Sequence, residues 1–193
     1  MNNEMTPKQS LNIISDAIMK SRKEFEKNSA APLILWGSAT IITAIAVGLL
    51  WANTSNPNWN LLWFAYVPIV FLIRKFCLKS KVFASKSFIS DVLGYIWSCF
   101  GIFAVSTGVI GMFLNAQTNI SAAILLMMGL SAAISGMVVK NTWMTIGGII
   151  SGPGLVFAMK YVEYEADVML LMAAAALLCL LLPGLYLKFK KNK

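Results

Sequence analysis

Six long apolar segments constrain what this chain can fold into more than any other feature. They are residues 32–51, 60–76, 90–114, 120–139, 142–161 and 168–187. Each is close to the roughly 20 residues that an α-helix needs to cross about 30 Å of hydrocarbon. The sequence therefore predicts an all-α membrane protein, with a bundle of six transmembrane helices in residues 31–188.

The composition agrees with that prediction. Hydrophobic residues make up 58% of the 193 residues and charged residues only 12%, whereas a soluble domain has about 25% charged residues. A soluble fold needs more polar surface than this to cover itself. The composition thus excludes a soluble cytosolic enzyme, a disordered chain and a secreted disulfide scaffold.

The second apolar segment is the weakest of the six. Its uncharged part, residues 61–73, is followed at once by Arg74 and Lys75. A full crossing would require both cations to extend to the membrane surface along their aliphatic stems. A re-entrant segment is the alternative.

The polar first 30 residues predict a separate helix before the bundle. Thr6 can cap its start, Pro7 fits the first helical position, and Gln9 completes a capping box. We expect this helix to end near Asn28, because Pro32 disfavours helical backbone at the residue before it.

Apolar residues of this first helix recur at spacings of three, four and seven, which places them on one stripe. They are Leu11, Ile14, Ile18 and Phe25. The stripe predicts an amphipathic helix that docks on the membrane surface or on a partner.

The basic residues predict the orientation. If the N-terminus is cytoplasmic and the segments alternate, every one of the 16 Lys and Arg residues except Lys160 lies on the cytoplasmic side. An excess of Lys and Arg marks cytoplasmic loops. We therefore expect both termini in the cytoplasm, a basic loop at residues 74–89 and a basic tail at residues 189–193.

Reactive side chains are scarce. The chain has no histidine, and its three cysteines, Cys77, Cys99 and Cys179, are too far apart for a metal-binding motif or a disulfide framework. No Asp, Glu, Lys or Arg falls at a predicted membrane midplane, where proton relays and ion sites need them. We expect no catalytic residue, no metal site and no cofactor.

The fifth segment contains the most distinctive internal motif, Gly148, Ser151, Gly152, Pro153 and Gly154. The two glycines spaced by four allow another helix to approach closely. Pro153 removes a helical hydrogen bond. Broken helices at this depth form substrate sites in secondary transporters, with Ser151 then lining a small polar cavity. A kinked packing helix is the alternative.

The first third of the chain resembles a group of small, uncharacterised bacterial integral membrane proteins. The residues that carry the resemblance are Ser10, Leu11, Ile14, Ile18, Phe25 and the string Leu35-Trp36-Gly37. In that group a short amphipathic cytoplasmic helix precedes a six-helix bundle. The resemblance implies a bacterial inner-membrane location but no activity and no functional residues.

Two functions of different classes fit these features. The first is a non-catalytic anchoring, accessory or regulatory protein of the inner membrane, whose partners are the lipid bilayer and either a cytoplasmic protein or a second copy of the chain. The alternative is a small-solute transporter, or the substrate-binding membrane subunit of one. Neither an enzyme nor a nucleic-acid-binding protein is expected.

Overall fold

The computed structural model describes residues 6–77, 88–114 and 119–191. These residues form seven helices, and the described ranges contain no strand. Helix α1 is Pro7–Asn28 and α2 is Ala30–Thr54. A 3-10 turn, Pro57–Leu61, leads into α3, Leu62–Cys77. Helices α4 and α5 are Phe88–Leu114 and Ile120–Val139.

The last two helices are interrupted by π-helical segments. Helix α6 begins as Thr142–Ile149, widens at Ile150–Gly154, and continues as Leu155–Ala158 and a 3-10 turn, Met159–Tyr161. Helix α7 consists of Glu165–Ala176, the π-helical Leu177–Leu181, and Leu182–Lys191. Residues 189–191, which we expected in the tail, therefore continue the last helix.

Six of these helices, α2 to α7, are long and apolar enough to cross a membrane. The prediction of an all-helical fold with six helices of spanning length and composition is confirmed for the described residues. The second segment, with its 3-10 start, is a helix of 20 residues, and the mean hydropathy of its 18-residue spanning window is 1.2, against 2.6 for that of α7.

The inner part of the bundle consists of α2, α5, α6 and α7. Its packing depends on small residues, because a Cβ added to Gly37 of α2 would lie 2.8 Å from the backbone nitrogen of Leu181 in α7. Leu125, Met144 and Cys179 are fully buried between these helices. Small residues at such contacts let helix backbones approach closely without a hydrophobic driving force from water.

Helices α3 and α4 lie at the outside. Only 6% of the best spanning window of α3 and 11% of that of α4 is buried inside the protein, against 50% in α5. Helix α3 is attached to α2 by a 2.7 Å hydrogen bond between the hydroxyls of Tyr66 and Thr40. The ring of Trp36 also packs edge-on against Tyr66. Helix α4 packs on the inner helices through Trp97.

Helix α1 meets the bundle at one end only. Phe25 packs in a cluster with Ile89 and Leu93 of α4 and Val139 of α5. The Ser21 hydroxyl accepts a 3.2 Å hydrogen bond from the backbone N–H of Ile89. The start of α4 and the end of α5 therefore lie at the end of the bundle where α2 begins.

Candidate functional site

The predicted start of α1 is confirmed. The Thr6 hydroxyl accepts from the backbone N–H of Gln9 at 3.4 Å, and the Gln9 side chain accepts from the Thr6 N–H at 2.9 Å. The two bonds form the capping box, and Pro7 occupies the first helical position. The helix ends at Asn28, as predicted. Local chemistry thus fixes the start of α1. The reason given for its end is wrong, because Ala31, the residue before Pro32, is helical and lies within α2.

The apolar stripe of α1 is divided in two. Leu11 is 67% exposed, Ile14 56% and Ile18 39%, whereas Phe25 is only 9% exposed. Phe25 is held inside the protein by Ile89, Leu93 and Val139, so it is not available to dock on a membrane or a partner. The proposed docking surface is therefore corrected to Leu11, Ile14 and Ile18, which we call the exposed seam.

The second half of α1 is tied to the bundle by polar contacts as well. The Lys190 ammonium of α7 lies 2.8 Å from the Glu26 carboxylate. At the junction with α2, the Ser29 N–H donates to the Phe25 carbonyl and the Leu33 N–H to the Ser29 carbonyl. Ser29 itself has right-handed helical dihedrals. The chain therefore passes from α1 into α2 without reversing, and the exposed seam lies beyond the end of the bundle.

Basic residues gather at this same end. Arg74 and Lys75 are in the last turn of α3, Lys140 follows α5, and Lys188 and Lys190 are near the end of α7. The opposite end carries Lys160 with the acidic residues Glu163 and Asp167. Most of the basic loop predicted at residues 74–89 lies outside the described residues.

The five motif residues of α6 do not line one cavity. Gly148 packs against α5, where an added Cβ would overlap the backbone of Ala133. A Cβ on Gly152 would meet the Cα of Gly129 at an ordinary 3.4 Å. Ser151 is fully buried, but Pro153 and Gly154 are exposed on the outer surface of α6. The motif thus has a packed side and an outward side.

Ser151 contacts the π-helical segment of α7. This segment was not predicted from the sequence. Its hydroxyl lies 2.6 Å from the Cys179 sulfur of α7 and donates to the Gly148 carbonyl at 3.2 Å. A π-helical turn widens the backbone by one residue, and such turns are frequent at functional sites. The segment Leu177–Leu181 contains neither Gly nor Pro. However, Pro183 follows it in the same helix and cannot donate a helical hydrogen bond to the Cys179 carbonyl, so Pro183 is the local signal for the change.

Within residues 6–77, 88–114 and 119–191, no group of three or more His, Cys, Asp or Glu residues could hold a metal ion. No protein-family model, curated protein or solved structure matches the chain. The function of the chain is therefore inferred from its own geometry.

Proposed function

We propose that this chain is a non-catalytic accessory protein of the bacterial inner membrane that binds a cytoplasmic protein through the exposed seam of α1. The observation that carries the proposal is the contrast within one helix. Leu11, Ile14 and Ile18 are exposed, while Phe25 on the same stripe is buried in the bundle. Exposed aliphatic residues grouped on one face are typical of interaction sites.

The spacing of the seam favours a helix as the binding element of the partner. Positions 11, 14, 18, 21 and 25 alternate steps of three and four, which is the a/d pattern of a coiled coil. Ser21 and Phe25 already pack on the bundle, so Leu11, Ile14 and Ile18 extend the same pattern beyond it. A partner helix would continue this packing.

A membrane surface fits the seam less well. Helices that lie in the membrane surface have a wide apolar face and a strongly basic polar face. Helix α1 has five basic and three acidic residues, and each basic residue near an anionic surface contributes about 1 kcal/mol. The five basic and three acidic residues leave α1 without the strongly basic face of such helices, and this favours a protein partner.

The proposed orientation places both termini in the cytoplasm. It is supported by the basic residues Arg74, Lys75, Lys140, Lys188 and Lys190, which share the end of the bundle that carries α1. The positive-inside rule assigns such an end to the cytoplasm. The resemblance of the first third of the chain to bacterial membrane proteins supports the inner membrane as its location.

Photo-crosslinking in native membranes tests this function. A photoreactive residue at position 14 should capture a protein, because this position is in the middle of the seam. The same residue at position 16 is the matched control, since Asp16 is exposed on the opposite face of α1. The adduct should vanish when Leu11 and Ile18 are both changed to Ser. Capture of lipid alone from position 14, or equal protein capture from both positions, would contradict the proposal.

A small-solute transporter, or the membrane subunit of one, is the second candidate. The meeting of two π-helical segments at Ser151 and Cys179 favours it, because interrupted helices form substrate sites in transporters. Its test is a small molecule retained by the purified protein and lost in Pro153→Ala at unchanged stability. Pro153 is exposed, so under the first function this change leaves binding of the partner intact.

A further inference from the structure

A polar cleft lies at the basic end of the bundle, where the turn between α5 and α6 is next to the ends of α7 and α1. The cleft has a volume of about 200 Å³. It is lined by Glu26, Lys140, Asn141, Thr142, Trp143, Tyr186 and Lys190. Pockets for drug-sized ligands have volumes of about 300–1,000 Å³, so this cleft suits a small polar group.

The charges of the cleft favour an anion. Lys190 is engaged with Glu26 at 2.8 Å, which leaves Lys140 as the second cation. Lys140 is exposed in the turn, with a left-handed backbone (φ 59°), and no carboxylate among the described residues forms an ion pair with it. The two lysines outnumber the single glutamate, so the cleft carries a net positive charge.

The start of α6 adds to this preference. The first N–H groups of a helix have no acceptor inside the helix, and they carry the positive end of its dipole. The Asn141 side chain accepts from the N–H of Met144 at 3.3 Å. The two residues before Met144, Thr142 and Trp143, line the cleft. A phosphate is well matched to such a position beside a helix start.

Two aromatic residues indicate where the ligand comes from. Trp143 is 68% exposed and Tyr186 is 45% exposed, and both border the cleft. Exposed Trp and Tyr residues at the ends of spanning helices lie at the level of lipid headgroups. A phosphate bound between Lys140 and Lys190 would therefore be at headgroup depth.

We propose that this cleft binds the phosphate of an anionic phospholipid from the leaflet at the α1 end of the bundle. Lys140, Lys190 and the start of α6 hold the phosphate, and Trp143 and Tyr186 contact the glycerol region. Basic pockets between spanning helices bind lipid headgroups in this way. Glu26 competes with the phosphate for Lys190, because both form a charge-assisted contact with the same ammonium group.

Native mass spectrometry of the purified protein in neutral detergent tests the proposal. Phosphatidylglycerol should bind in a single tight step, and phosphatidylcholine should bind about tenfold more weakly. Lys140→Gln and Lys190→Gln should each weaken phosphatidylglycerol binding about tenfold, because each removes one charge-assisted contact. Glu26→Gln should strengthen binding, because it releases Lys190.

Lys188→Gln is the matched control. Lys188 is exposed on the same helix, two residues from Lys190, and does not line the cleft. Its loss should leave phosphatidylglycerol binding unchanged, and circular dichroism should show that all four variants keep their helices. Equal losses of phosphatidylglycerol binding in Lys140→Gln and Lys188→Gln would overturn the site. Binding of inorganic phosphate with the same lysine dependence, without retention of phospholipid, would overturn its assignment to a lipid.

Discussion

The inner helices and the outer parts of the molecule use the same residue types for different purposes. Gly148 in α6 is pressed against the backbone of α5, whereas a Cβ on Gly101 in α4 would meet nothing within 4 Å. Phe25 in α1 is buried, but Ile14 on the same stripe is exposed. A small or apolar residue at helical spacing therefore shows which face of a helix can pack, and the tertiary structure decides whether it does.

The largest difference in stability is expected between leucine substitutions at Gly148 and at Gly101. Gly148→Leu should destabilise the bundle by about 3 kcal/mol, because the new side chain would overlap the backbone of Ala133. Gly101→Leu should be neutral, since the position is open. Unfolding in mixed detergent, followed by circular dichroism, measures both. Similar losses of stability in the two variants would contradict the division of the bundle into an inner and an outer region.

A second pair of variants compares the two halves of α1. Phe25→Ala should cost about 3 kcal/mol, because it leaves a cavity among Ile89, Leu93 and Val139. Ile18→Ala should change the free energy of unfolding by less than about 0.5 kcal/mol in the purified protein. Hydrogen exchange of residues 20–28 should be faster only in Phe25→Ala. Equal protection in both variants would show that Phe25 does not hold α1 to the bundle.

A smaller effect is expected where α3 joins α2. Tyr66→Phe removes the 2.7 Å hydrogen bond to Thr40 but keeps the ring that packs against Trp36. Hydrogen bonds between spanning helices contribute about 0.6 kcal/mol on average, so the loss should be of that size. Tyr95→Phe is the control, because Tyr95 is 71% exposed on α4. A larger loss for Tyr95→Phe would contradict the assigned contact.

The smallest effect on stability should come from the exposed seam. Changing Leu11 and Ile18 together to Ser should leave the unfolding of the purified protein within about 0.5 kcal/mol of the native value. The same variant should lose the protein adduct formed from position 14. Clear destabilisation would instead mean that the seam packs on the protein itself.

Much of the fold could be predicted because its signals are local. Segment length and hydrophobicity determine the six helices of spanning length, and Thr6, Pro7 and Gln9 determine the start of α1. The interruption of α7 was not predicted, although Pro183 cannot donate the helical hydrogen bond to the Cys179 carbonyl and is a local signal for it. There the backbone departs from the α-helix in a segment that contacts Ser151 of α6 through Cys179.

The sites were predicted only in part, because they depend on contacts between residues that are distant in the sequence. Periodicity identified Leu11, Ile14, Ile18 and Phe25 as one stripe, but the burial of Phe25 depends on the distant start of α4. The cleft was missed altogether. Lys140 and Lys190 lie 50 positions apart in the sequence, and the fold brings them together where the α5–α6 turn meets the end of α7.

Spin-label mobility along residues 10–26 tests the central claim that the exposed seam of α1 binds a protein. In purified protein in liposomes, labels at 11, 14 and 18 should be mobile and labels at 21 and 25 immobile. In native membranes, the labels at 11, 14 and 18 should become immobile, while the label at 16 stays mobile. Immobile labels at 11, 14 and 18 when the purified protein is in liposomes, or mobile labels there in native membranes, would contradict the claim.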